Sequence, residues 1–229
     1  MVSERPACLL SWSSGKDSAW TLHQLRERDD VEVVGLLTTL NESADRVAMH
    51  AVRRELLEAQ AAAADLPLWA VDLPWPCSNE QYEARMSAAC ERAVKAGVTQ
   101  MAFGDLFLED VRSYREEKLA PTGLKPIFPL WGRPTEALAR RMLADGLQSR
   151  ITCVNPELAP AEWVGREWDA ALLDELPEGV DPCGENGEFH TFVHAGPMFS
   201  APIEIELGEI VERDGFRFAD LLSARGPQS

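Results

Sequence analysis

Short apolar runs alternate with amphipathic stretches along the first half of the chain. Residues 7–12 are an apolar run closed by a Ser/Gly turn, which is typical of a buried strand. From Asp17 onward, apolar residues recur at helical spacing as far as Asp29 and Asp30. The same alternation predicts further strands over 31–37, 68–73 and 100–103, and further helices over 47–64 and 79–96.

The order of these segments predicts a parallel sheet. Strand–helix repeats of this length imply right-handed crossovers, and the last helix is predicted to begin at an Asn79 cap and to end before Gly97. Ligands of such sheets bind at the carboxyl ends of the strands. The segments that follow the predicted strands are therefore candidate binding segments: 13–18, 38–46, 74–79 and 104–112.

The pattern changes after the fourth predicted strand. Prolines at positions 121, 126, 129 and 134 predict a hinge or a folded connector. A helix is predicted over 135–145, beginning at a Thr cap and ending before Gly146.

The C-terminal part is predicted to form strands. Residues 150–154 are a strand candidate that either extends the first sheet or begins a second domain, and 203–219 predict two strands joined by an Asp-Gly turn. The predicted fold class is α/β, with a parallel-sheet domain over 1–125 and a smaller α+β domain over 126–229.

Composition narrows the possible functions. The chain has 229 residues, 45% of them hydrophobic, which excludes disorder as its main state. Its 22 Lys+Arg against 38 Asp+Glu give a net charge of −16, which argues against a nucleic-acid or anionic-membrane partner. The sequence predicts no apolar span of membrane length and no secretory segment, so the expected location is cytoplasmic. The five cysteines include no C-x-x-C pair, which disfavours a disulfide framework or a zinc knuckle.

The segment Ser13-Ser14-Gly15-Lys16-Asp17-Ser18 lies between the first predicted strand and helix. Small residues let the backbone approach a phosphate, and the helix N-terminus offers free N–H groups. The spacing is neither that of a Walker A loop nor that of a dinucleotide G-x-G-x-x-G loop. The alternative is an ordinary helix start with a solvated Lys16.

A second dense cluster spans 181–191, D-P-C-G-E-N-G-E-F-H-T. If the stretch after Gly187 is extended, Glu188 and His190 point to one face and could share a proton or position a nucleophile. They could also hold a metal, although no third ligand is evident from the spacing. The alternative is a turn before a strand, with a solvated acid and a histidine at the edge of the core.

These two motifs together resemble a known family. The loop resembles the S-G-G-K-D-S pyrophosphate loop of the ATP pyrophosphatases, with Ser14 in place of the first glycine. With D-P-C-G-E-N-G-E-F-H-T, the chain resembles the diphthine–ammonia ligases, and the stretches 46–50 and 76–80 resemble their bacterial branch. The likeness runs from about residue 8 to about residue 203.

The resemblance implies a Rossmann-like sheet of the adenine nucleotide alpha hydrolase type with a smaller C-terminal domain. It implies an amide ligase that converts ATP, a carboxylate and ammonia to an amide, AMP and diphosphate. In eukaryotes and archaea the carboxylate is diphthine on translation elongation factor 2. The bacterial branch lacks that target, so a small-molecule or protein acceptor stays open, as does a homo-oligomer.

The resemblance also suggests roles for individual residues. The residues expected to bind ATP are Ser13, Ser14, Gly15, Lys16, Asp17, Ser18, Thr38, Gly104 and Asp105. Asp17 and Asp105 are the candidate Mg²⁺ ligands. The catalytic candidates are Lys16, which would neutralise charge as diphosphate leaves, and four residues on the acceptor or ammonia side, Glu185, Asn186, Glu188 and His190.

Two other functions compete with the ligase. A tRNA thiolase with the same loop is disfavoured by the charge and by the missing C-x-x-C pair. A nucleotide-binding protein without ligase activity has no need of the second cluster. His50 and Cys183 are interpreted as a helix-surface or core-edge histidine and as a structural thiol.

Overall fold

The computed structural model describes residues 5–42, 46–47 and 52–224. Its first sheet has six strands, five parallel and one antiparallel, in the order β3-β2-β1-β5-β6 with β4 on β2. The strands are β1 Ala7–Ser11, β2 Glu32–Asn41, β3 Arg46–Val47, β4 Leu68–Leu73, β5 Gln100–Ala102 and β6 Lys125–Ile127. The helices between them are α1 Lys16–Arg28, α2 Arg54–Ala63, α3 Asn79–Lys95 and α4 Glu109–Leu119.

The side chains of β1 point alternately to the two faces of the first sheet, and both faces are buried. Cys8 and Leu10 contribute to one hydrophobic cluster, whereas Leu9 between them contributes to another. The first cluster includes buried residues of α1 and α2, and the second includes buried residues of α3 and α4. A strand buried on both faces reads as a continuous apolar run, which is the pattern of β1.

The second sheet is antiparallel, in the order β8-β7-β10-β9. Its strands are β7 Gln148–Val154, β8 Phe189–Ala195, β9 Ile205–Arg213 and β10 Phe216–Ser223. Two helices accompany it, α5 Thr135–Ala144 and α6 Ala170–Asp174. Ile151 and Phe192 of this sheet belong to the same hydrophobic cluster as Leu10 of the first. The two sheets therefore share a core, and this brings β8 beside the end of β1.

The predicted fold class is confirmed. The first sheet is Rossmann-like, and the second belongs to a smaller α+β part. The strand candidate at 150–154 lies in the second sheet, and the Asp-Gly hairpin joins β9 to β10. Both Asp214 and Gly215 have positive φ, 54° and 82°, as a tight two-residue hairpin turn requires.

One predicted helix start and two predicted N-cap residues are wrong. The helix predicted from Val47 begins at Arg54, because Arg46 and Val47 pair with β2 instead. Residues 48–51, which include His50, lie outside the described residues. The first cap of α3 is Ser78, whose hydroxyl accepts from the N–H of Gln81 at 3.2 Å.

The N-cap of α5 also differs from the prediction, although the helix begins at residue 135 as predicted. Thr135 is the first helical residue rather than the cap, and the extended residue before it is Pro134 (φ −58°, ψ 118°). Because the proline ring has no hydrogen-bond acceptor, no side-chain cap is formed.

The proline-rich connector contains part of the first sheet. Pro126 lies in β6 at the edge of the sheet, where a missing N–H is tolerated. The hydropathy pattern does not indicate α4, because this helix is highly charged and Leu119 is its buried residue. The domain division between 125 and 126 stays a prediction, and β6 straddles it.

No helix among the residues that the structure describes has the length and apolar character needed to cross a membrane.

Candidate functional site

The loop between β1 and α1 has the geometry of an anion-binding turn. Ser14 is fully buried, and its backbone lies in the left-handed region with φ 72°. Gly15 occupies the N-cap position of α1 without a side-chain cap. The hydroxyls of Ser13 and Ser18 lie 3.1 Å apart, and Ser18 also donates to the carbonyl of Gly15 at 2.9 Å. This turn presents backbone N–H groups and hydroxyls at the carboxyl end of β1.

Strand β8 holds this loop from the other side. The N–H of Val193 donates to the carbonyl of Ser14 at 3.0 Å, and the N–H of Lys16 donates to the Thr191 hydroxyl at 3.1 Å. The D-P-C-G-E-N-G-E-F-H-T motif, which ends at Thr191, is thus attached directly to the phosphate loop.

Gln60 on α2 completes the attachment. Its fully buried amide donates to the carbonyls of Ser14 at 3.0 Å and Val193 at 2.7 Å. Its oxygen accepts from the indole N–H of Trp12 at 2.9 Å. One side chain therefore fixes the strand end, the loop and β8 relative to one another, and nothing in the sequence pattern distinguished it from a helix-surface glutamine.

Lys16 points inward. Its ammonium group donates to Asp17 Oδ2 at 2.8 Å and to the carbonyl of Cys183, and it lies 5.7 and 5.6 Å from the ring centres of Trp168 and Phe189. Burial alone would lower the pKa of Lys16, but the charge of Asp17 raises it above its usual value. A buried, protonated lysine at this position supplies a fixed positive charge.

The 181–188 turn is folded around two carboxylates. Asp181 Oδ2 accepts from the N–H groups of Cys183 and Glu185, both at 3.0 Å. Glu188 Oε1 accepts from the N–H of Asp181 at 2.9 Å and from the Asn186 amide at 3.0 Å. Glu188 and Asn186 therefore shape the turn, and the burial of Glu188 arises from this turn rather than from alternation along β8.

Glu185 and His190 face the phosphate loop. Glu185 accepts a 2.7 Å hydrogen bond from the N–H of Leu106, and burial raises the pKa of Glu185 to about 7. Burial, together with the charge of Lys16, lowers the pKa of His190 to about 4. At neutral pH the imidazole is neutral, whereas the carboxyl group is poised to exchange a proton.

Two adjoining cavities lie at the carboxyl end of β1. The inner one, of about 260 Å³, brings together Ser13, Gly15, Lys16, Asp17, Ser18, Gly104, Asp105, Glu185 and His190. The outer one, of about 720 Å³, contains Thr38 and Thr39 between α3 and α4. Ser14, Asn186 and Glu188 of the predicted set support the inner cavity without lining it.

Gly104 lets the end of β5 approach the start of α1. A Cβ atom on Gly104 would lie 2.9 Å from the backbone carbon of Asp17 and 3.0 Å from the N–H nitrogen of Ser18. Because these are backbone atoms, they cannot move aside cheaply. The absent side chain is what places Asp105 next to the phosphate loop.

Arg115 lines both cavities, and the sequence patterns missed it. Its guanidinium donates from Nε to Asp105 Oδ2 at 2.6 Å and from Nη2 to Asp105 Oδ1 at 3.0 Å. It also lies 4.4 Å from the ring centre of Phe103. Arg115 lies on α4, and without that helix the sequence offered no signal that would bring it to the cavity.

Comparison with known proteins identifies two family matches. The family described as "Diphthamide synthase N-terminal domain" matches residues 6–126, and "Diphthamide synthase C-terminal domain" matches 134–220.

Several curated relatives carry the same name, "Diphthine--ammonia ligase". The protein from Homo sapiens is 32% identical over 124 residues, which is 52% of this chain and 46% of the relative. The protein from Danio rerio is 34% identical over 118 residues, 49% of this chain and 46% of the relative. The protein from Schizosaccharomyces pombe is 25% identical over 220 residues, 87% of this chain and 36% of the relative. The matched part of the chain spans less than half the length of each of these relatives.

Proposed function

The chain belongs to the diphthamide synthase family, and from that premise we propose that it is an ATP-dependent adenylating amide ligase. The reaction would convert ATP, a carboxylate and ammonia to an amide, AMP and diphosphate. One observation carries the proposal: Glu185 and His190 of the second motif share a single cavity with the phosphate loop around Lys16. A nucleotide-binding protein without ligase activity has no need of a titratable carboxyl group at this position.

The placement of ATP follows from the two cavities. The β- and γ-phosphates would lie in the inner cavity on the 13–18 loop, where the N-terminus of α1 favours negative charge. The adenosine would extend into the outer cavity toward Thr38 and Thr39. This placement puts ATP at the carboxyl ends of β1 and β2, where ligands of such sheets bind.

Lys16 would supply countercharge as diphosphate leaves. Its ammonium group is buried and protonated, so its charge needs no reorganisation during the reaction. It also holds the carbonyl of Cys183, so it connects the phosphate loop to the turn that carries Glu185.

Glu185 would act as the base of the amidation step. An ammonia nucleophile must lose a proton as its nitrogen forms the amide, and a base with a pKa near the working pH accepts that proton best. The pKa of about 7 places Glu185 in that range, while His190 is neutral and can only accept or donate a hydrogen bond. Asn186 and Glu188 would act by holding the turn.

The donor set fits a magnesium ion that shares its coordination with ATP. Asp17 Oδ1 is buried and has no hydrogen-bond partner, whereas both oxygens of Asp105 accept from Arg115. No cluster of three or more His, Cys, Asp or Glu ligands is present among the described residues. Since Mg²⁺ is commonly held by one or two carboxylates plus phosphate oxygens, Asp17 is the residue that would hold it. The ion would neutralise phosphate charge.

The acceptor is proposed only as a class, a carboxylate on a small molecule or on a protein. Diphthine is the substrate in the names of the relatives, and it is the first acceptor to test. The acidic chain is not expected to bind nucleic acid, and a cytoplasmic location stays part of the proposal.

The test is a product analysis with the full chain. The protein is incubated with ATP labelled in the α-phosphate, Mg²⁺, ¹⁵N-ammonium and candidate carboxylates, including elongation factor 2 that carries diphthine. We expect AMP and diphosphate in equal amounts, with ¹⁵N in an amide. Lys16→Met should lose this activity, whereas Lys95→Met, at an exposed end of α3, should keep it.

Two results would contradict the ligase. ADP and phosphate as products would mean a different bond is broken. Tight ATP binding without AMP formation for every acceptor would favour the nucleotide-binding alternative.

A further inference from the structure

We propose that Arg115 holds the α-phosphate of ATP, the atom group at which the acceptor attacks, and that Asp105 orients it for this role. The inference rests on the proposed function and names a further catalytic residue for it. Arg115 would touch the reacting phosphate, and Asp105 would be a positioning residue.

Arg115 lies at the boundary between the inner and the outer cavity. Four residues line both cavities: Ser11, Ser13, Phe103 and Arg115. If the β- and γ-phosphates occupy the inner cavity and the adenosine the outer one, the α-phosphate that joins them must lie at the shared boundary. Of these four residues, Arg115 alone carries a charge.

Arg115 supplies an accessible positive charge at this boundary. The chain has a net charge of −16, so an anionic ligand must be held by local cations. The Lys16 side chain is only 3% exposed, and its ammonium group already donates to Asp17 and Cys183. The Arg115 side chain is 31% exposed, and among the described residues its hydrogen bonds leave from Nε and Nη2. Nη1 is therefore available for a phosphate oxygen.

The guanidinium group of Arg115 is held in one orientation. The paired bonds to Asp105 and the stacking 4.4 Å above Phe103 fix the plane of the guanidinium from two sides. Asp105 is itself held by the close approach of Gly104 to the phosphate loop. A preorganised donor at the position where charge develops stabilises a transition state without reorganisation.

The step balances with the groups named. A carboxylate oxygen of the acceptor attacks the α-phosphorus, and the bond from the α-phosphorus to the bridging oxygen breaks. Diphosphate leaves with that electron pair, and no proton is transferred. The nitrogen of ammonia then attacks the acyl carbon, AMP leaves with the electron pair of the C–O bond, and Glu185 takes the proton. Arg115 would offset the negative charge on the non-bridging α-phosphate oxygens in the first step.

Binding measurements test this without any acceptor. Calorimetry on the full chain compares ATP, AMP, adenosine and diphosphate for Arg115→Gln and for a control, Arg85→Gln, at an exposed position on α3. We expect Arg115→Gln to weaken AMP and ATP binding about tenfold or more, as for loss of a hydrogen bond to a charged group. Adenosine and diphosphate should bind as in the wild type. Arg115→Lys keeps the positive charge but lacks the planar guanidinium group, so it should bind AMP more tightly than Arg115→Gln and less tightly than the wild type.

A double-mutant cycle tests the role of Asp105. AMP binding is measured without Mg²⁺ for Asp105→Asn, Arg115→Gln and the double variant. If Asp105 acts through Arg115, the double variant should bind AMP no more weakly than Arg115→Gln alone. Additive losses would overturn the positioning role.

The outcomes separate the two proposals. Unchanged AMP affinity in both Arg115→Gln and Arg115→Lys would overturn the α-phosphate assignment while leaving the ligase intact. Equal weakening of adenosine would overturn it too, since it would mark a general structural effect. A wild-type chain that binds no ATP would overturn the proposed function itself.

Discussion

The backbone N–H of Lys16 donates to the hydroxyl of Thr191 across 175 residues of chain. This hydrogen bond joins the phosphate loop of the first sheet to a strand of the second. It means that the two sequence motifs form one site rather than two. The site is consequently sensitive to changes in either sheet, even where the changed residue touches no ligand.

Replacing Thr191 with Val should destabilise the protein. The substitution preserves shape but leaves the buried N–H of Lys16 without its acceptor, which costs about 1–3 kcal/mol. Urea unfolding measures the loss, and Thr191→Ser should retain most of the wild-type stability because it keeps the hydroxyl. Equal stability of the Val and Ser variants would contradict the importance of this bond.

The sequence could predict the two motifs of the site but not that they contact each other. The 13–18 loop follows from its place after an apolar strand, and the double-sided burial of β1 follows from its continuous apolar run. The contact of Lys16 with Thr191 depends on how the two sheets pack, and no local pattern encodes that. Arg115 was missed because charged residues cover α4, and Glu188 was misplaced because it precedes β8, so alternation does not apply to it.

Replacing Ser14 with Gly should stabilise the protein. Ser14 is left-handed and its buried hydroxyl has no hydrogen-bond partner, so the native side chain adds strain and an unsatisfied group. Relief of the strain, less the greater backbone entropy of glycine in the unfolded chain, leaves a gain of about 1 kcal/mol. The midpoint of urea unfolding should rise.

The matched control for Ser14 is Ser149→Gly. Ser149 in β7 also has a buried hydroxyl without a partner, but its φ is not positive, so glycine removes the hydroxyl there without relieving backbone strain. This control should lower stability. A fall in stability for Ser14→Gly as well would show that the left-handed backbone is not strained.

Replacing Gly104 with Ala should weaken both stability and ATP binding. The new Cβ would lie within 3.0 Å of backbone atoms of Asp17 and Ser18, so β5 or the start of α1 must shift. Overpacking of this kind costs about 1–3 kcal/mol. Gly208→Ala is the control, since no atom lies closer than 3.3 Å to its Cβ. Thermal unfolding and ATP titration would detect the difference, and wild-type behaviour of Gly104→Ala would rule out the close approach.

The protonation of Glu185 should appear in both activity and stability. Since burial raises the pKa of Glu185 to about 7 from 4.5, the folded state binds more protons than the unfolded state between these pH values. Stability that depends on this group therefore falls as pH rises through that window and levels off above pH 7. Urea unfolding at pH 5 and pH 8 should show a larger fall for the wild type than for Glu185→Gln. In the proposed reaction, amide formation should rise through pH 7 with the ionised base, and Glu185→Gln should lose most of the rate and the inflection near pH 7. A Glu188→Gln variant with the same flattened profile would instead assign the base to Glu188.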